Sequence, residues 1–185
     1  MTRLFRFKTR GEPGPEVLTT TRQLVGALAP VGIDYARWSL AASVEGARPE
    51  ELKILYQQQL DELTARFGYQ TIDVVQLTPE DPNAGPARQK YLAEHTHADD
   101  EARYFAEGSG TFYLHYPERA LMLALCCTAG DWVRIPAGTR HWFDMGERPF
   151  FSALRLFTRP DGWVASFTGS DVATTFPTHD ALTST

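Results

Sequence analysis

The chain has 185 residues, of which 43% are hydrophobic, 12% aromatic and 22% charged, with a formal net charge of −5. This is a globular composition for which a single domain, 1–185, is expected. It excludes a disordered chain, and its apolar runs fall short of the ~20 residues a membrane helix needs. The acidic balance argues against nucleic acid as a partner. Residues 1–15 are basic without an apolar stretch, so no secretory signal is expected there. Cys126 and Cys127 are adjacent; they form neither a disulfide framework nor a CxxC pair and read as small buried hydrophobes of a reducing cytoplasm.

In chain order, Leu4, Phe5 and Phe7 predict a short strand. Thr19–Leu28 predicts a helix stopped by Pro30 and Gly32, and Ile33–Leu40 a strand. The strongest helix opens at Pro49, with Glu50 and Glu51 placed where the helix dipole favours acids. It carries Leu52, Tyr56, Leu60, Leu63 and Phe67 on one stripe and ends at Gly68. Beyond it the pattern becomes short strands: Thr71–Leu77, Glu101–Phe105, Thr111–Tyr116, Leu121–Cys127, Trp132–Ile135, Phe150–Phe157 and Trp163–Phe167. Thr78–Pro86 reads as a loop, Ala87–Leu92 as one helical turn, and Gly108-Ser109-Gly110 as a hairpin turn. The last dozen residues, rich in Thr and Ser, are expected to be loose. The succession predicts a mainly β barrel or sandwich. Residues 1–70 form an elaboration packed on a core of 71–170, followed by a tail, 171–185.

Chemistry concentrates in Glu94-His95-Thr96-His97-Ala98-Asp99-Asp100-Glu101 and in Pro136-Ala137-Gly138-Thr139-Arg140-His141. If the first segment is extended, His95, His97 and Glu101 share a face, because even separations alternate back to the same side. Three neutral imidazoles and a carboxylate suit a borderline divalent ion such as Fe(II), Ni(II), Mn(II) or Zn(II), and not calcium. His95, His97, Glu101 and His141 are therefore the candidate metal ligands, for one ion per chain. His115 and His179 lie outside the motifs. The same alternation puts Arg103 and Phe143 on the ligand face with Glu101 and His141. It turns Arg155 inward between Leu154 and Leu156. A buried arginine is costly without an anion, so Arg103 is expected to meet a substrate anion or an acidic neighbour. Phe143 and Trp163 are candidates for an apolar wall.

The two motifs resemble those of the cupin superfamily, jelly-roll β-barrels with a metal inside. The second motif fits from Gly130 through Pro136 and Gly138 to His141. Met145 stands where an Asn is usual, and Gln89 where a leading Gly is usual. A narrower resemblance runs from Ile33 to about Pro177. Glu94–His97, Asp100–Phe105, Gly110–His115, Ile135–Gly146, Leu154–Phe157 and Gly162–Gly169 are similar to the acireductone dioxygenases of methionine salvage.

That resemblance implies a cupin-type barrel with added N-terminal helices. It implies cleavage of 1,2-dihydroxy-3-keto-5-methylthiopentene by O2. With iron the products are 4-methylthio-2-oxobutanoate and formate; with nickel they are 3-methylthiopropionate, formate and CO. Fe(II) is the first expectation and Ni(II) the alternative. Arg103 and Arg155 are expected to act in catalysis by favouring the anionic substrate, and Phe143 and Trp163 to contact its methylthio-alkyl tail. The other readings are a different cupin dioxygenase or isomerase, and a small-molecule-binding cupin without catalysis. The paired arginines, the Asp144-Met145-Gly146 run and the Gly162-Trp163-Val164-Ala165 run weigh against the first, and the complete ligand set against the second. A cytoplasmic monomer is the default, with the acireductone and O2 as partners and no membrane contact.

Overall fold

The computed structural model describes the chain apart from residues 10, 11, 42, 43, 45, 162 and 185, and between residues 8 and 15 only the backbone. In chain order the elements are β1 (Arg3–Thr9), β2 (Glu12–Leu18), α1 (Thr21–Leu28), β3 (Asp34–Arg37), α2 (Pro49–Leu55) and α3 (Gln57–Phe67). They continue with β4 (Thr71–Leu77), α4 (Ala84–Leu92), β5 (His95–Thr96), β6 (Glu101–Tyr116), β7 (Leu121–Thr128) and β8 (Asp131–Ile135). The last are β9 (Arg140–Asp144), β10 (Phe151–Phe157), β11 (Ser166–Phe167) and α5 (His179–Thr183).

The long strand β6 organises the fold. Its first half pairs with β10 and β8, its second half with β7 and β9. It therefore belongs to two antiparallel sheets, β4-β10-β6-β8-β3 and β11-β5-β9-β6-β7-β1-β2. The crossover lies where the β10 register slips between Phe105 and Glu107 and where Gly108 takes φ +69°. Gly108-Ser109-Gly110 is thus no hairpin turn. It is the corner at which one strand changes sheets, the place for a bulge. A Cβ on Gly108 would sit 1.8 Å from the Phe150 carbonyl oxygen, and one on Gly110 2.2 Å from the Phe143 ring. Gly108→Ala is expected to cost at least about 2 kcal/mol, combining backbone strain with overpacking, read as a lower urea midpoint.

Between the sheets Phe105, Phe112, Leu125, Val133, Phe143 and Phe151 form the main core. Tyr104, Leu154 and Leu156 face the other way and pack with Leu52, Tyr56, Leu60 and Leu63 of the helices. Each such buried side chain contributes roughly 1.5–3 kcal/mol. The expected helix over 49–67 is interrupted at Tyr56 (φ −110°, ψ 16°). No Pro or Gly signals the break. Tyr56 instead has tertiary partners: its hydroxyl accepts from the Ala41 amide at 3.1 Å and its ring meets Tyr104 at 4.6 Å.

Other expectations need correction as well. Helix α4 begins three residues before the expected turn, inside the expected loop. Only Ser166 and Phe167 of the expected 163–167 strand pair with a neighbour, and Gly162 lies outside the described residues. Strand β2 is absent from the sequence reading because Pro13 and Pro15 argue against a strand; it is tolerated at the sheet edge, beside β1 alone.

The C-terminal residues are not loose, although Thr185 lies outside the described residues. Val172 and Leu182 join Phe7, Tyr113 and Trp142 in a third apolar cluster. His179 is 6% exposed, and its Nδ1 lies 2.8 Å from Thr111 Oγ1. Burial pushes its pKa below the usual 6.5. Below about pH 6.5 the unfolded chain therefore binds a proton that the native chain refuses, and stability falls as pH falls. The urea midpoint should drop less between pH 7.5 and 5.5 in His179→Gln than in the wild type.

Candidate metal centre

Three imidazoles meet inside the barrel. His95 on β5 pairs directly with His141 on β9, and His97 follows just beyond β5. The ligand atoms of the three all lie within 4.8 Å of one another, and all three residues are buried. They do not reach Glu101 along one strand as the spacing argument assumes. The chain bends at Ala98 and Asp99, and Glu101 opens β6 in the other sheet, opposite Ile135 of β8.

Two aspartates fasten the bend. Asp99 accepts from the Thr158 hydroxyl and the Arg159 amide. Asp100 accepts from the Ala137 amide and Arg134. The Gly138 amide donates to the His97 carbonyl at 2.8 Å, joining the two motifs. The site thus spans the space between the sheets.

Each imidazole is oriented from behind. Nδ1 of His95 lies 2.7 Å from the Ala93 carbonyl, that of His97 2.5 Å from Val164, and that of His141 2.8 Å from Thr139. A carbonyl can only accept, so Nδ1 carries the proton and Nε2 presents its lone pair. Nε2 of His97 and of His141 are buried and have no hydrogen-bond partner among the described residues. They lie 3.1 and 3.4 Å from Glu101 Oε2, close but unaligned. Unmet buried polar atoms cost ~1–3 kcal/mol each, and a cation between these donors accounts for them together. The donor set therefore fits a divalent metal.

The imidazoles differ in electrostatics. Burial, with the neighbouring imidazoles, lowers His95 to about 4, leaving it neutral and ligand-competent at pH 7. Burial also opposes charge on His97, but the Glu101 carboxylate outweighs it and raises the pKa. For Glu101 burial acts upward, while the Arg103 guanidinium and the imidazoles hold it well below the usual carboxylate range.

Arg103 is where alternation places it. Its Nη2 donates to Glu101 Oε1 at 2.6 Å, and the guanidinium lies 4.4 Å from the Phe143 ring centroid and 4.7 Å from that of Phe112. Phe143 thus packs against the cation, next to Gly110. Arg155 stands opposite Arg103 in the β10–β6 register. Its charge is shared: Nε and Nη2 donate to Asp73 at 2.8 and 2.7 Å, and Nη1 to the Tyr91 hydroxyl at 3.2 Å. Trp163 borders the imidazoles, its ring 5.7 Å from His95, 5.5 Å from His97 and 5.1 Å from Tyr91, with Lys90 over it at 4.4 Å.

The sequence reading missed Asp73, Tyr91 and the three orienting carbonyls. Asp73 meets Arg155 through the pairing of β4 with β10, which has no local sequence signal. A carbonyl leaves no side-chain signal. Cys126 and Cys127 are buried free thiols pushed up in pKa by burial. This agrees with a packing role.

Comparison with known proteins converges on one family. Its sequence profile, ARD/ARD', matches residues 25–165. The chain is 42% identical over 175 residues to an acireductone dioxygenase of Synechococcus, covering 94% of this chain and 96% of that one. It is 42% identical over 183 residues to that of Aquifex aeolicus, covering 98% of each. To that of Stutzerimonas stutzeri it is 44% identical over 174 residues, covering 94% and 95%. Among solved structures, an acireductone dioxygenase from Bacillus anthracis with a cadmium ion in its active centre superimposes with a TM-score of 0.78 at 21% identity. It covers 90% of this chain and 98% of that one, which shows a shared fold, the cupin-type barrel. The profile and the near-full-length relatives establish that the chain belongs to the ARD/ARD' family, the acireductone dioxygenases.

Proposed function

We propose that His95, His97, Glu101 and His141 hold one divalent ion, Fe(II) first and Ni(II) as the alternative. With this ion the chain cleaves 1,2-dihydroxy-3-keto-5-methylthiopentene with O2. The observation that carries the reading is the set of three imidazoles whose Nδ1 atoms are tied to carbonyls, with two buried Nε2 atoms unmet beside the Glu101 carboxylate. When bound, the ion supplies Lewis acidity and a template for an electron-rich enediolate.

The protein's own groups do the rest. Arg103 keeps Glu101 ionised. Arg103 and Arg155 place two guanidiniums on neighbouring strands, each paired with a carboxylate, so they favour the anionic substrate through directed hydrogen bonds and not through net positive charge. Arg103 Nε and Trp163 Nε1 are buried donors without a protein partner among the described residues, and so are free for substrate oxygens. Trp163 offers an apolar face to the methylthio-alkyl tail, and Phe143 supports Arg103 from behind. Among the described residues no helix is long and apolar enough to cross a membrane; the reading places the enzyme in the cytoplasm as a monomer.

The test is reconstitution of metal-free protein with Fe(II) or Ni(II), followed by O2 uptake and product analysis with the authentic acireductone. Iron protein should yield formate and 4-methylthio-2-oxobutanoate; nickel protein should yield formate, CO and 3-methylthiopropionate. Iron protein with a filled site that made neither formate nor keto acid would overturn the reading. Failure of the nickel protein alone would remove only the second outcome.

A further inference from the structure

A buried acid–histidine pair behind the metal ligands takes no part in the chemistry above. Glu94 is 1% exposed. Its carboxylate accepts from His115 Nδ1 at 2.5 Å and from the Thr168 hydroxyl at 2.7 Å. His115 stands on β6 and Glu94 directly precedes β5, so the pair reaches across β9, which lies between those strands. The Thr168 amide also donates to the Glu94 carbonyl at 3.0 Å. Glu94 thereby grips the far end of the segment Trp163–Thr168.

This segment contains everything that touches the imidazoles from its side. Trp163 borders His95 and His97. The Val164 carbonyl accepts from His97 Nδ1, and Phe167 and Ser166 pair with His95 and Thr96. Among the described residues its other fastenings are the β5 pairing and the packing of Trp163 on Tyr91 and Lys90. Its strand is two residues long, and Val164 and Phe167 are 56% and 55% exposed, so their burial contributes little. The bond from Thr168 to the buried Glu94 carboxylate, which His115 holds in place from β6, is its strongest side-chain fastening, because charge-assisted hydrogen bonds exceed neutral ones.

We infer that Glu94, held by His115 and clasping Thr168, is a positioning residue that straps residues 163–168 over the imidazoles and, through the Val164 carbonyl, sets the ring of His97. The inference rests on the metal reading for its consequence, but the strap itself can be observed without turnover.

The experiment compares wild type, Thr168→Val and Thr168→Ser, each loaded with Ni(II). Amide hydrogen exchange is followed across 164–168, together with the rate of metal loss to EDTA. Thr168→Val keeps the size of the side chain and the backbone bond but removes the hydroxyl. Exchange across 164–168 should rise about tenfold while β6 and β7 stay unchanged, and metal loss should quicken about tenfold, as expected for a lost bond to a buried charge. Thr168→Ser should restore both. His115→Phe, which removes the other donor, should shift both in the same direction as Thr168→Val. Unchanged exchange across 164–168 in Thr168→Val overturns the proposal, as does faster exchange with unchanged metal loss. A wild-type chain that took up neither Ni(II) nor Fe(II) would sink the metal reading; the strap would then stand or fall on exchange alone.

Discussion

His141→Ala is expected to yield a folded chain that retains less than about a tenth of the wild-type metal and turns over at least ~100-fold more slowly. His141 comes from β9, while His95 and His97 come from β5 and the bend beyond it. Its loss opens one side of the cluster, and among the described residues no further side chain joins the three-imidazole group in its place. The ring is 1% exposed, so its removal also leaves a cavity. Circular dichroism and a urea titration are needed beside metal analysis, to separate loss of the ion from loss of the fold. A well-folded His141→Ala protein with full metal and full turnover would show that this residue is not a ligand.

Arg103→Met should separate two roles of one ion pair. Arg103 and Glu101 have side chains 4% and 2% exposed. Breaking a buried pair by removing one partner costs about 3–5 kcal/mol, because the remaining charge is stranded. Metal-free Arg103→Met should therefore unfold at a markedly lower urea concentration. Its metal should dissociate about 10–100-fold faster, since Glu101 loses the neighbour that keeps it ionised. Adding Glu101→Gln should recover much of the stability, by removing the stranded charge, and none of the metal affinity. A double variant that recovered both would mean that Glu101 is not a ligand. Arg103→Lys should recover little, because an ammonium cannot pack flat against Phe112 and Phe143 as the guanidinium does.

Much of the architecture is readable locally. Strand β4 falls on the residues expected of it, Thr71–Leu77, and α3 ends at Gly68, which takes φ +74°. Arg103 and Arg155 face inward because the residues flanking them, Ala102, Tyr104, Leu154 and Leu156, belong to the helix-side cluster. Where local reading fails, a distant contact has overridden the local pattern. Gly108-Ser109-Gly110 has the composition of a turn, but the residues on both sides of it keep pairing with other strands. The tail has the composition of a loose end, but the Tyr113 hydroxyl donates to the Pro177 carbonyl at 2.5 Å and His179, the first residue of the C-terminal helix, is buried against Thr111.

The same division runs through the site. Which residues carry nitrogen and oxygen donors is a property of the chain itself, because spacing of two along an extended backbone and a Pro-Gly turn before His141 are local constraints. The precise convergence is not. His95, His97 and Glu101 meet because two sheets face each other and a bend pinned by Asp99 and Asp100 carries the chain between them. The tautomers are set by the carbonyls of Ala93, Thr139 and Val164, the last 67 residues from the imidazole it orients. The charge of Arg155 is divided with Asp73, 82 residues away. A hydrogen bond depends on distance and angle in space, and a backbone carbonyl is chemically alike at every position, so only the folded chain assigns these partners.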